Sequence, residues 1–154
     1  MTWPAMAVGL AATAAGAWWD MKGMEVPYFV FVPAIPASLA LARLGLSPVW
    51  WFESLVCGTG MFLLMGLWCL AINLARRLSG REPRQDAVLG GADLLCSALS
   101  CFVFGTRGVW VSFFAFILAT PFAAWKFFKK DRAPYPFIPF YLVPYIAVML
   151  TYYI

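Results

Sequence analysis

The sequence predicts an all-α, polytopic membrane protein: one domain over residues 1–154, with six transmembrane helices and both termini outside. Three observations lead there. The chain is 64% hydrophobic and 12% charged. A soluble domain carries about 25% charged residues, so these charges are too few to cover a water-facing surface. The apolar residues fall into six runs, at about 2–19, 26–44, 50–74, 87–104, 108–125 and 137–154. Each lies near the roughly 20 residues that a helix needs to cross the hydrocarbon core. The basic residues alternate by loop. The first, third and fifth loops hold Lys22; Arg76, Arg77, Arg81 and Arg84; and Lys126, Lys129, Lys130 and Arg132. The second and fourth hold only Arg43 and Arg107. The positive-inside rule then places the odd loops in the cytoplasm.

The net charge of +4 does not signal nucleic-acid binding, because the basic residues sit in short loops rather than on one face. The first run lacks a basic leading segment, and Lys22 follows it, so it reads as a mature helix rather than a signal peptide. Its small residues, Ala11 to Ala17, let neighbouring backbones approach closely and predict a central place in the bundle. Trp50, Trp51, Trp110 and Trp125 fall near run ends, as interfacial residues do. The third loop is the most polar stretch, and Asp86 stands where a cap would open the fourth helix. The prolines of Pro134-Tyr135-Pro136-Phe137-Ile138-Pro139 forbid a regular helix start. The backbone there must either find partners in neighbouring segments or line a polar cavity. Pro144 predicts a kink further on.

Cys57, Cys69, Cys96 and Cys101 all lie in apolar runs, without C-x-x-C spacing, and there is no histidine. They read as small buried hydrophobes, and neither a zinc site nor a cofactor is expected.

Asp93 stands out, because it follows Gly90-Gly91-Ala92 inside an apolar run. A carboxylate at a transmembrane helix centre costs about 2.5–3.5 kcal/mol on insertion scales, so it calls for a polar partner or a chemical task. Asp20 closes the first run, on the same predicted side of the membrane. Two carboxylates sharing one proton can hydrolyse a peptide bond, one as base towards water and the other as acid towards the carbonyl oxygen. Glycine beside the acid lets an extended substrate backbone approach.

Asp20-x-Lys22-x-x-x-Val26-Pro27, followed by Gly90-Gly91-Ala92-Asp93, resembles the type IV prepilin and archaeal preflagellin peptidases, intramembrane aspartyl proteases of the GxGD type. Pro136-Phe137-Ile138-Pro139-Phe140 is similar to the family's proline-containing start of the last helix. The resemblance covers the whole chain and implies Asp20 and Asp93 as the catalytic pair. Gly90, Gly91, Ala92, Pro136 and Pro139 are then expected to line the substrate path, with Glu25 attracting a basic leader. The implied reaction removes the leader of a pilin-like precursor at the cytoplasmic face of a prokaryotic inner membrane. The chain looks like the short, peptidase-only members, since it lacks the cysteine-paired cytosolic domain of the methylating forms. It departs from the family at Ala92, at Tyr28 (often asparagine) and at Leu95 (often lysine). The competing expectations are a small transporter or channel subunit with a functional acidic pair, and a non-catalytic pilus-assembly partner.

Overall fold

The computed structural model describes residues 3–23, 26–80, 91–129 and 136–152. These residues form α1 (Trp3–Gly23), α2 (Ala34–Arg43), α3 (Trp51–Leu78), α4 (Gly91–Phe104), α5 (Gly108–Phe128) and α6 (Pro139–Leu150), with 3₁₀ turns at Tyr28–Val30 and Gly105–Arg107. The described residues contain no strand. The fold is all-helical, as expected.

Two of the expected runs differ in extent. The run over 26–44 is helical only from Ala34. Pro27 leads into the 3₁₀ turn and Pro33 precedes α2. Each proline removes a backbone donor and disfavours helix in the residue before it. At 1.5 Å per residue α2 is only about 15 Å long, half the hydrocarbon core. The last run begins as helix at Pro139 and ends at Leu150.

Two helical stretches are long and apolar enough to cross a membrane, Trp51–Leu78 and Gly91–Lys126. The second is not a straight rod. Gly105 takes φ +57°, a left-handed conformation that favours glycine, and the chain reverses there so that α5 packs back on α4. A side chain at Gly108 would collide with the Ser100 and Cys101 backbone, so the two helices nearly touch at the turn. The outward faces of α3 and α5 carry a long series of exposed large apolar residues, among them Leu63, Leu67, Trp68, Trp110, Phe113 and Trp125. Water would not tolerate so extensive a patch; lipid would.

The most enclosed helix is α4, in which every residue from Cys96 to Phe104 is buried. It touches α1, α2, α3 and α5. The small residues of α1 do serve close packing: Gly16 faces the ring of buried Phe31. They line only one side of that helix, and Trp3, Trp18 and Trp19 point outward. The central place expected for α1 belongs to α4.

The C-terminal end of α4 shows how such a core is completed. Its last carbonyls lack helical partners. Ser54 donates to the Phe102 carbonyl, Ser47 to that of Val103 at 3.4 Å, and Tyr152 to that of Phe104 at 3.3 Å. The Thr106 amide, which would otherwise reach back into the helix, donates to Glu53 at 3.2 Å. We expect Ser54→Ala to lower stability in detergent by about 1–3 kcal/mol, because it leaves a buried acceptor unpaired. Exposed Thr59→Ala should stay within about 0.5 kcal/mol of wild type. Denaturant titration in micelles reads both, and equal effects would contradict this role for Ser54.

Candidate active site

Asp20 lies in the last turn of α1, and its side chain is buried against the start of α6. The Ile138 amide donates to its Oδ2 at 2.8 Å, and the Phe137 amide also faces this carboxylate. The proline run explains the need. Pro139, at the first position of α6, has no N–H. The Phe140 and Tyr141 amides bond to the Phe137 and Ile138 carbonyls at 3.0 and 2.9 Å. Ile138 is left with an amide that only a neighbouring segment can accept, and Asp20 accepts it. A helix N-terminus also favours negative charge. Lys22 does not fold back to Asp20: its ammonium sits 4.5 Å from the centre of the Trp18 ring.

Asp93 is half-buried in the first turn of α4. Two chains of contact bring it to the same end of the bundle as Asp20. The first runs through α6. Tyr141, one turn beyond Ile138, meets Ser97 with 2.5 Å between hydroxyl oxygens, and Ser97 is one turn from Asp93 on α4. The second runs directly between α1 and α4, which are antiparallel: Gly9 faces Val103, and the Cys96 thiol donates to Thr13 at 4.0 Å. From that level Asp20 is about 10 Å along α1 and Asp93 about 4.5 Å along α4, both towards the same end. Together the two routes place the acids within about one helical turn of a common level.

The segment between α1 and α2 packs beside them. Phe31 fills the notch at Gly16, and the Tyr28 hydroxyl lies where a side chain at Gly91 would approach it to 2.9 Å. Ala92 is half-buried against the core, and Pro136 and Pro139 are half-buried at the entry to α6. Gly90, Glu25 and Asp86 lie outside the described residues. Among the described residues no three His, Cys, Asp or Glu side chains gather as a metal site.

Sequence reasoning noted Tyr28 only as a departure from the family pattern, and missed Phe31, Ser97 and Tyr141. The four-residue spacing from Asp93 to Ser97 is a helical-face signal; for the other three only the fold supplies the neighbours. All four cysteines are free thiols, with Cys96 and Cys101 fully buried. Comparison with protein-family models, with curated proteins and with solved structures finds no match to this chain.

Asp20, hydrogen-bonded to the Ile138 amide, and half-buried Asp93 thus lie at the same end of the bundle. The Gly91 contact is testable by itself. Gly91→Val should destabilise the protein, and adding Tyr28→Ala should recover part of that loss, with a coupling of about 0.5–3 kcal/mol. A thermal-unfolding double-mutant cycle in detergent measures it, and strict additivity would mean that Tyr28 does not pack on Gly91.

Proposed function

We propose that the chain is an intramembrane aspartyl endopeptidase that removes the leader of a pilin-like precursor at the cytoplasmic face of a prokaryotic inner membrane. The observation that carries this reading is the first turn of α6, which binds Asp20 through Ile138 and reaches the Asp93 face of α4 through Tyr141 and Ser97. In the proposed topology all six helical segments enter the bilayer, α2 together with the proline-bounded residues before it, and both termini are outside. The basic loops then lie with the acids on the cytoplasmic side.

The reaction is addition and elimination. One carboxylate takes a proton from water as the water oxygen bonds to the scissile carbonyl carbon. The other, protonated, gives its proton to the carbonyl oxygen. Collapse of the tetrahedral intermediate re-forms the carbonyl, returns a hydroxyl proton to the second carboxylate and breaks the C–N bond. The departing amine takes up the proton that came from water. The scissile segment must be extended, since a helical peptide bond is shielded by its own hydrogen bonds. Tyr28, whose hydroxyl lies against Gly91, has to give way for such a strand to lie beside Asp93. Glu25 and the other acids of the same face attract a basic leader.

A proton or cation pathway is the second reading. It is favoured by the buried polar side chains of Thr13, Cys96, Ser97 and Tyr141, which continue inward from the acids. Ion flux in liposomes without peptide cleavage would support that reading instead.

Co-expression with a pilin-like precursor tests the proposal. Wild type should shorten the precursor, and Asp20→Asn and Asp93→Asn should each abolish shortening. Asparagine at position 20 keeps an oxygen acceptor for Ile138, so that variant should still fold and insert. Asp86→Asn should retain most activity, as asparagine caps nearly as well as aspartate. Wild-type cleavage by Asp93→Asn would end the assignment.

A further inference from the structure

The helices around α4 form a ring: α3 packs on α2, α2 on α1, α1 on α6 and α6 on α5. Among the described residues the ring is open between α5 and α3, which both pack on α4 and hardly touch each other. An apolar groove occupies the gap. One part, of about 550 Å³, lies among Leu64, Trp68, Ala71 and Phe116. A second, of about 410 Å³, continues from Met65 and Phe116 to Cys57 and Thr106. The groove meets the level of the acids. Gly108 stands against the Cys101 backbone, and eight residues from each along the antiparallel pair are Phe116 and Asp93. The Phe116 ring also meets that of Phe137 at 5.1 Å, beside the Ile138 amide that binds Asp20. From Met65, across from Phe116, the groove descends about 12 Å along α3 to Cys57 and rises about 9 Å to Ala71.

We infer that the apolar helix of the substrate seats in this gap and closes the ring, with the scissile segment crossing the first turn of α4 to reach the acids. The inference rests on the peptidase reading, in which a precursor is cut where it enters the bilayer. Its apolar helix then starts at the level of the acids and runs inward, as the groove does. The faces of α4 supply the crossing. Gly91 stands eleven residues before Phe102, and at about 100° per residue the two share a face. Phe102 packs on Gly58 of α3, so Gly91 borders the groove. Asp93 lies on the face of Ser97, which meets Tyr141 of α6. A strand leaving the groove therefore passes Gly91 and Ala92, whose side chains put little in its way. An extended chain covers about 3.3 Å per residue, so three or four residues cross a helix about 10–12 Å wide. The Tyr28 hydroxyl lies on this path, against Gly91, and the strand displaces it.

Photocrosslinking tests the seat. The full chain carries Asp93→Asn, so that a co-expressed pilin-like precursor stays uncut, and benzoylphenylalanine at position 68 or at position 18. Trp68 and Trp18 are equally exposed, at 57% and 55%, but Trp18 faces outward from α1 and away from the groove. Position 68 should capture the precursor several-fold more than position 18. In the otherwise unaltered chain, Ala71→Phe narrows the groove and should slow precursor shortening several-fold. Leu70→Phe, one residue away and turned from the groove, should leave it unchanged. Both positions are exposed, so neither change burdens the core. Equal capture from positions 68 and 18 would overturn the inference, as would wild-type shortening by Ala71→Phe. Wild-type shortening alongside either result would leave the peptidase reading standing. Absence of shortening by wild type would remove that reading and the inference with it. Capture of a second copy of the chain at position 68, in place of the precursor, would assign the gap to a dimer instead.

Discussion

In a chain this apolar, every backbone donor and acceptor left over at a helix end must find a partner within the protein, because lipid supplies none. The helices are unequal, with 28 residues in α3 against 10 in α2 and 12 in α6, so ends fall where water does not compensate them. Some polar side chains of the core are placed at such ends. Ser47, Ser54 and Tyr152 close α4. Asp20 answers the amide that the prolines strand at the entry to α6.

That last contact joins architecture to chemistry. A neutral acceptor would satisfy Ile138 equally well for folding, yet the chain holds a carboxylate there and a second one on α4 at the same end. The amide and the helix terminus stabilise negative charge on Asp20, while its burial opposes charge. Asp93 sits in a more open place. Such a difference in environment is what the proposed division into base and acid requires. The packing that brings them together relies on small side chains: Gly16 admits Phe31, and Gly91 lies against Tyr28. Loss of that closeness would separate the acids without touching either one.

Much of this was legible in the residues. The low charge and the long apolar runs gave the all-helical class, and the runs matched α3, α5 and most of α1 to within a few residues. The proline density before the last helix called for a backbone partner or a polar cavity there, and Asp20 is the partner. Other features depended on tertiary placement. Pro27 and Pro33 were visible and bound the second run to a 10-residue helix, but that Phe31 packs into the notch at Gly16 of α1 was not. Small residues on α1 gave close packing without centrality, since they occupy one stripe and tryptophans cover the rest. The roles of Ser97 and Tyr141 arise from the antiparallel pairing of α4 with α1 and its closeness to α6, and no local pattern encodes it.

The central claim is that Asp20 and Asp93 face one shared space at one end of the bundle. Disulfide and short-linker crosslinking tests it most directly, using Asp20→Cys with Asp93→Cys in a chain whose four native cysteines are replaced, in native membranes. The account predicts efficient bridging by a linker that spans about one helical turn, and none between position 93 and a cysteine at position 53 on the opposite end. Failure of the 20–93 pair to bridge in a protein that still inserts, or equal bridging from position 53, would contradict it.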